Sequence, residues 1–426
     1  MRTFIRTAGA RRLARLGAPL LTLFLVPAQA GAQGHESARA LALGSSVVAQ
    51  PAGLDAVYWN PAAINLHRQA QGLRMNLIGL HTRVVNNSFT VSDYNRYTGA
   101  VLDDDDKAYI LSRVPESGLR LDAVADAEAM SFAAGPVAVS ISSQASAEGH
   151  LSKDALELLL FGNAAFDSVN LSGTGGESFV TAGIGLTFAR PMAELAGSPL
   201  HGGATLRYVK GLYAQEIVES YGQIITAEAG VNSEARLLAR TANNGTGIAL
   251  DVGLLYDYGR GWTIGASIVN LVGSVLWEGH PEEHLFTFSV DSLSVVNAGQ
   301  SNLVQSHDSA YAIEAFSTRL PATLRLGVGR TTGATSWTAQ WEQGLNDVAG
   351  AYTVPRISTG LEWWAASVLP LRAGLSVGGE RGVGISGGSG LHTGFFYLDC
   401  GVGLGSGLYF GAAKGANVAF NTGLRF

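Results

Sequence analysis

The chain has 426 residues, a formal net charge of −6, 47% hydrophobic residues and 15% charged residues. The acidic balance argues against a nucleic-acid surface, because phosphate binding needs a basic patch. Cys400 is the only cysteine, which excludes an internal disulfide framework, and no Cys/His grouping has zinc spacing. No metal or cofactor is expected.

The N-terminus predicts a signal peptide over residues 1–32. A cationic stretch precedes the apolar run Leu16 to Val26, and Ala28-Gln29-Ala30 is a small-x-small cleavage site. The mature part has no run of about 18 apolar residues, so no membrane-spanning helix is expected. Low charge and 55 glycines suit a β-barrel with an apolar outer face and a crowded interior.

The segment from Glu36 to Arg68 does not have a strand pattern. It has a helical stretch up to Gln50 and then breakers at Pro51, Gly53 and Pro61. Asn60-Pro61-Ala62, between the signal peptide and the first strand, resembles the Asn-Pro-Ala element of the FadL-like outer-membrane barrels. Asn60-Pro61 is equally suited to a turn that ends a helix, and the two interpretations are compatible.

The FadL-like family carries long-chain fatty acids and other hydrophobic molecules. The resemblance implies that residues 33–71 form a hatch inside the barrel lumen. It also implies that five residues line or gate a ligand pocket there: Tyr58, Trp59, Asn60, Pro61 and Ala62.

The barrel is expected to occupy residues 72–426. Gly72 to His81 and Val84 to Val91 predict a first hairpin, and Ala129 to Ala134 with Val137 to Ser143 a second. Helical insertions are predicted near 103–115 and 152–165. Asp103 to Asp106 lack the spacing of a calcium loop and suit the start of a helix, where acidic residues cap and complement the dipole.

Three further stretches resemble a branch of FadL-related barrels described as a domain of unknown function. They are the Asp93-Tyr94 region, Ser152-Lys153-Asp154, and Leu361 to Leu375. This resemblance implies the barrel and leaves the cargo open.

From Ser178 onward, apolar and polar residues alternate with a period of two, as in Val180, Ile184 and Phe188. An arginine at the lipid midplane costs about 2–4 kcal/mol, so the charged parity should face the lumen, where opposite charges can pair. The predicted lumen charges are Arg207, Asp251, Arg325, Glu362, Arg372 and Asp399. Tryptophans such as Trp277 near strand ends suit interface girdles, although anchoring in the core is an equally ordinary use of aromatic residues. About 14 strands are predicted, with protruding segments at Glu216 to Gly245 and Glu278 to Ser309.

The last eleven residues, Ala416 to Phe426, alternate in the same way and end on an aromatic residue. This ending resembles the C-terminal assembly signal of bacterial outer-membrane barrels, with Phe420, Leu424 and Phe426 on the apolar parity. An ordinary edge strand is the alternative, although an exposed edge of this length would favour aggregation.

No catalytic constellation is recognised, so the chain is not expected to be an enzyme. His280-Pro281-Glu282-Glu283-His284 has the wrong order for a zinc protease, and Pro281 disfavours a helix interior. The expected fold is all-β, a transmembrane antiparallel β-barrel of about 14 strands with an N-terminal helical hatch.

The expected function is passive uptake of hydrophobic small molecules by a monomer in the bacterial outer membrane. Its expected partners are the lipid bilayer, the outer-membrane assembly machinery and a hydrophobic ligand. Two alternatives stay open: a non-transporting surface scaffold or secretion partner, and a general porin for polar solutes.

Overall fold

The computed structural model describes residues 35–65, 72–162, 168–227, 230–293, 303–346, 348, 353–379 and 382–426. The predicted signal peptide, residues 1–32, lies outside the described residues. Short helices occupy Ala38–Ala42 (α1), Asp55–Trp59 (α2), Val91–Tyr97 (α3), Asp104–Ser112 (α4) and Lys153–Phe161 (α5), with 3-10 turns at Pro61–Asn65 and Phe410–Ala412. In the described part of the chain, no helix is long and apolar enough to cross a membrane.

The rest of the fold consists of strands. They are β1 Leu73–Asn86, β2 Leu119–Ala134, β3 Val137–Leu151, β4 Ser168–Asn170, β5 Gly175–Leu195, β6 Ser198–Ala227, β7 Gly230–Gly259, β8 Trp262–Leu293, β9 Val304–Ala312, β10 Phe316–Arg319, β11 Thr323–Thr332, β12 Thr335–Gly344, β13 Arg356–Ala366, β14 Leu369–Gly378, β15 Gly384–His392, β16 Phe396–Gly405 and β17 Gly415–Arg425.

Fourteen strands form a closed ring, so the predicted barrel is confirmed. The three others attach to its rim: β4 pairs with β6, while β9 and β10 pair with β8 beyond the part of β8 that pairs with β11. The final strand closes the ring, since β17 pairs with both β16 and β1, with Phe420 opposite Cys400 and Leu80. Closure leaves no free edge in the ring.

The two ends of the barrel differ in their connections. Two-residue turns join β2 to β3, β5 to β6, β7 to β8, β11 to β12 and β13 to β14, and this is called the short-turn end. Ala196-Gly197 and Arg260-Gly261 both have positive φ at their two positions, as tight hairpins require. Helices α3, α4 and α5 lie at the opposite, long-loop end.

The outer face of the ring is apolar and exposed. Ile184, Leu186 and Phe188 of β5 are each more than half exposed, and Leu206 and Ile248 on the next strands are equally so. A continuous apolar belt of this kind requires a hydrocarbon environment, while the alternate residues turn inward.

The predicted hairpin at 72–91 is wrong. Residues 73–86 form one strand, and its pairing with β17 runs through Val84 and Val85. Buried His81 and Arg83 alternate with exposed Thr82 and Val84, and neither glycine nor proline lies at the predicted turn between His81 and Val84. The chain turns only after Asn86, whose amide side chain accepts hydrogen bonds from the Ser88 and Phe89 nitrogens.

Strands β6, β7 and β8 have 30, 30 and 32 residues, whereas a bilayer crossing needs roughly 10. Their distal parts form a sheet beyond the barrel at the long-loop end. The paired segments Glu216 to Ala227, Gly230 to Arg240, Glu282 to Leu293 and Val304 to Ala312 build it, in two of the regions where the sequence predicts protrusions.

Candidate functional site in the lumen

Residues 35–65, called the plug, fill the ring near the short-turn end. Ala38, Ala40, Ala56, Ala62 and Ile64 are fully buried. The Ser37 side chain caps α1 by accepting from the Ala40 nitrogen. Because helices this short cannot form by themselves in water, the plug owes its structure to the surrounding wall.

Asn60 ties the plug to itself and to the wall. Its amide nitrogen donates to the Val48 and Leu254 carbonyl oxygens, both at 3.0 Å, and its amide oxygen accepts from the Ala62 nitrogen at 3.2 Å. Asn60 is completely buried. The amide therefore supplies hydrogen bonds that three buried backbone groups need, while Pro61 starts the 3-10 turn.

Tyr58 and Trp59 lie beside a buried ion pair. The Arg325 guanidinium stacks 4.1 Å from the Trp59 ring and donates to the Tyr58 carbonyl oxygen at 3.2 Å. Its Nε atom lies 2.7 Å from Glu342. Stacking and the ion pair together hold this part of the plug against β11 and β12.

Glycines of the wall allow the plug backbone to approach it directly. A Cβ added to Gly374 would lie 2.1 Å from the Gly44 nitrogen, and one added to Gly253 would lie 2.1 Å from the Asn60 amide oxygen. Added Cβ atoms would likewise meet plug backbone atoms at Gly203, Gly265, Gly360 and Gly401, whereas at Gly79 and Gly327 they would meet the side chains of His35 and Val48. At this height the lumen is closed by direct backbone contact.

The six predicted lumen charges are all buried. Arg207 lies 2.9 Å from Asp251, and Arg372 lies 2.7 Å from Glu362 and 2.5 Å from Asp399. Arg39 of the plug joins this network 3.0 Å from Glu362. The pairing neutralises the inner wall and adds a link between plug and barrel.

A second buried polar cluster joins the start of the plug to β1 and β2. His35 lies 3.5 Å from Glu128, and His81 lies 3.6 Å from Glu36 and 2.8 Å from Asp126. This cluster is not evident from the sequence, because the partners come from segments 45 or more residues apart. Only the inward parity of His81 and Asp126 along their strands signals it.

A cavity of about 150 Å³ lies between the plug and the wall at the short-turn end. Its lining includes Leu54 and Asp55 of the plug together with Trp364, Arg74 and Arg425 of the wall. Burial raises the pKa of Asp55 to about 6, although Arg39 acts in the opposite direction. The five predicted hatch residues, Tyr58 to Ala62, are buried in the plug and do not line this cavity.

The inner wall becomes apolar on the long-loop side of the plug. Val209 lies six residues beyond Gly203 on the same inward parity of β6, and it clusters with Ala249, Val275 and Leu320. Trp277 is completely buried there, packs over Gly211 and Gly245, and donates to the Thr318 hydroxyl at 2.8 Å. Trp277 therefore anchors the interior rather than an outer girdle, and it shares the inward parity of Gly265 and Ser267 along β8.

Comparison with known proteins agrees with this geometry. The model of the family of unknown function DUF5723 matches residues 61–398, and no match was found among curated proteins. The toluene transporter TbuX of Ralstonia pickettii is similar in structure, with a TM-score of 0.53 at 13% identity over 92% of this chain and 99% of that one.

Two structures of TodX are also similar. A deltaS2 mutant of the TodX monoaromatic hydrocarbon channel has a TM-score of 0.52 at 13% identity, covering 91% of this chain and 97% of that one. The Pseudomonas putida toluene transporter TodX has a TM-score of 0.50 at 10% identity, covering 93% and 98%. At these identities the likeness concerns the fold. The chain belongs to the family of unknown function DUF5723, and its fold is that of the FadL-like hydrocarbon transporters.

Proposed function

We propose that this barrel takes up hydrophobic small molecules passively across the bacterial outer membrane. The observation that carries the proposal is a closed ring of 14 strands whose lumen holds a plug below an apolar inner wall. The predicted signal peptide and the apolar outer belt support an exported, outer-membrane protein. The monomer is the proposed functional unit, and β17 together with Phe426 is the segment that the assembly machinery would recognise, through Phe420, Leu424 and Phe426.

The apolar cluster around Trp277 supports an apolar cargo. A molecule that enters from the long-loop end would have to separate the packed cluster of Val209, Val275 and Trp277, whose side chains are buried, before it reaches the plug. Removal of apolar surface from water favours binding there by about 25 cal/mol per Å². TbuX and TodX are described as toluene and monoaromatic hydrocarbon channels, so small aromatic compounds join long-chain fatty acids as candidate cargo.

A general porin is disfavoured by the same geometry. The wall glycines hold the plug backbone in contact with the barrel, and the lumen charges are paired rather than open to polar solutes.

A surface scaffold is favoured by one observation, the projecting sheet of β6 to β9. Val218, Tyr221 and Ile225 are exposed on it, well beyond the length that a bilayer crossing requires.

Because the plug closes the lumen, uptake through the barrel requires the plug to move, and a disulfide tests this step. Ser46 Oγ of the plug lies 2.8 Å from Thr338 Oγ1 of β12, which suits a Ser46→Cys/Thr338→Cys pair in a Cys400→Ser background. Cells that lack their own hydrophobic-compound channel would be supplied with toluene or oleate. Oxidation should reduce uptake at least tenfold, and a reductant should restore it.

A matched control places the disulfide within the wall. Thr331 Oγ1 and Ser336 Oγ lie 3.0 Å apart on the β11–β12 hairpin, so Thr331→Cys/Ser336→Cys should leave uptake unchanged after oxidation. Full uptake with the plug disulfide formed would contradict plug movement. Uptake no greater than in cells without the barrel would contradict the transport function itself.

A further inference from the structure

The cavity at the short-turn end has two unlike walls. On one side, Glu362 and Asp399 are neutralised by Arg39 and Arg372, and His392 lies 2.9 Å from Asp399. On this side each carboxylate is paired with an arginine, and only Arg372 Nη2 and His392 Nδ1 lack a hydrogen-bond partner among the described residues.

On the other side the cavity is lined by two arginines, Arg74 and Arg425. Only 7% of Arg74 is exposed, and its Nε and Nη1 atoms have no hydrogen-bond partner among the described residues. Its Nη2 atom has only a long contact, 3.4 Å, to the Ile64 carbonyl oxygen. Buried guanidinium donors without an acceptor destabilise the folded state. A bound ligand that supplies an acceptor to Arg74 would remove this cost.

Arg425 adds a second positive charge at the same place. Arg74 and Arg425 are direct cross-strand partners between β1 and β17, and like charges in that position repel each other. The Arg425 guanidinium stacks 4.8 Å from the Tyr397 ring, and the Tyr397 hydroxyl donates to the Asn76 amide oxygen. Tyr397 is thereby fixed, and no carboxylate among the described residues forms an ion pair with either arginine.

We propose that this cavity binds a small organic carboxylate between Arg74 and Arg425. Two guanidinium groups match the two oxygens of a carboxylate and form charge-assisted hydrogen bonds. The apolar side chains of Leu54 and Trp364 line the same cavity and can accept a short hydrocarbon chain. The volume of about 150 Å³ accommodates a headgroup with a few carbons.

Asp55 opposes an anion in this site. It is the lining carboxylate that forms no ion pair among the described residues. Its negative charge should weaken carboxylate binding, and neutralising it should strengthen binding. Removing an arginine should therefore weaken carboxylate binding, whereas neutralising Asp55 should strengthen it. A nonspecific effect on folding would not produce changes of opposite sign.

The test uses the full mature chain in an uncharged maltoside detergent at pH 7.5. Binding of 4,4,4-trifluorobutanoate is followed by ¹⁹F NMR, with 4,4,4-trifluorobutan-1-ol as the uncharged probe. Arg425→Gln, at an exposed strand end, should weaken carboxylate binding about tenfold or more, as should Arg74→Gln. Asp55→Asn should strengthen it severalfold, and the alcohol should bind all variants alike.

Arg330→Gln is the matched control. Arg330 is also exposed near the short-turn end and stacks on an aromatic ring, with its guanidinium 5.1 Å from Trp262, but it does not line the cavity. Its substitution should change carboxylate binding less than twofold. Equal binding by wild type and Arg425→Gln, or loss of binding in Arg330→Gln as well, would overturn the proposal. If Arg74→Gln does not fold, Arg425→Gln decides. Binding to the purified barrel does not depend on uptake, so this result is independent of the proposed transport.

Discussion

At the scale of single residues, the plug is held both by wall glycines, which let its backbone approach closely, and by polar side chains of the wall. At Gly265, Gly374 and Gly401 the plug backbone lies so close to the ring that a single Cβ would overlap plug atoms. Elsewhere wall side chains hydrogen-bond the plug backbone, as Asn421 does with the Ala38 nitrogen. Asn60 complements these contacts, since its side chain serves three backbone groups of the plug and β7. The hydrogen bonds of Asn60 and the close contacts at the wall glycines thus fix the position of the plug.

Gly374 provides the sharpest test of these contacts. Gly374→Ala places a methyl group 2.1 Å from the Gly44 nitrogen, and overpacking of this kind costs about 1–3 kcal/mol. Hydrogen–deuterium exchange of residues 38–48 should become faster. Gly387 on the paired strand β15 is the control, because its added Cβ would lie an ordinary 3.5 Å from the nearest atom. Equal exchange in Gly374→Ala and Gly387→Ala would contradict a plug held by glycine contacts.

The six lumen charges could be inferred from strand parity, but their specific partners could not. Parity gives the face on which Arg372 lies, whereas its pairing with Glu362 and Asp399 depends on register across three strands. The glycine contacts are harder still. The sequence shows 55 glycines, and only the path of residues 35–65 across the ring distinguishes those that touch the plug.

At the scale of elements, the long-loop end is organised around one carboxylate. Thr90 and Asp93 form a capping box at the start of α3, and Asp93 also accepts from the Tyr109 hydroxyl of α4 at 3.0 Å. Arg113, which follows α4, lies 3.7 Å from Asp93. One side chain therefore starts the first helix and attaches the second to it.

Asp93 predicts how this region responds to acid. Burial would raise the pKa of its carboxyl group, but hydrogen bonds from Thr90 and Tyr109 lower the pKa below its usual value. A group with a lowered folded-state pKa contributes stability above its unfolded pKa, and loses it as the pH falls through the folded value. Residues 90–113 should therefore become more susceptible to protease below about pH 4. Asp93→Asn should remove this pH dependence, and Asp105→Asn, at an exposed position of α4, should retain it. A pH profile shared by all three proteins would contradict the role of Asp93.

The strands also show where the alternation of apolar and polar residues is sufficient to predict the structure and where it is not. Within the barrel, the ring strands from β5 to β17 follow their apolar and polar pattern, because one face meets lipid and the other faces the lumen. The predicted break after His81 was wrong because Thr82 and Arg83 continue the same alternation. Trp277 lies inside because it shares the inward parity of Gly265 and Ser267 along β8; the alternation does not by itself tell a tryptophan that anchors the interior from one in a girdle.

At the scale of the whole molecule, barrel and plug have separate sources of stability. The ring is closed by backbone hydrogen bonds between adjacent strands, which do not involve the plug. The plug depends on the wall for its ion pairs, its stacking on Arg325 and its backbone contacts. Removing the plug should therefore leave a folded ring with an open lumen, whereas the plug alone should not fold.

Conductance in planar bilayers tests whether the ring stays folded and becomes an open pore when the plug is removed. Deletion of residues 35–64 should convert a nearly silent barrel into an open pore with a stepwise increase in conductance, since backbone contact with the glycines no longer closes the lumen. A smaller deletion, Ala56 to Ala63, should give an intermediate or unsteady pore, because Arg39 and Ser46 still tether the remaining plug to β13 and β12. Circular dichroism should show the strand content of the ring unchanged in both proteins.

The matched control shortens the projecting sheet instead. Replacing residues 221–236 by a tight turn removes paired residues of β6 and β7 far from the plug, so conductance should stay as low as in the intact chain. Low conductance after deletion of residues 35–64, in a protein with the strand content of the ring, would show that something other than the plug closes the lumen. High conductance in the shortened-sheet variant would indicate instead that the distal strands hold the barrel closed.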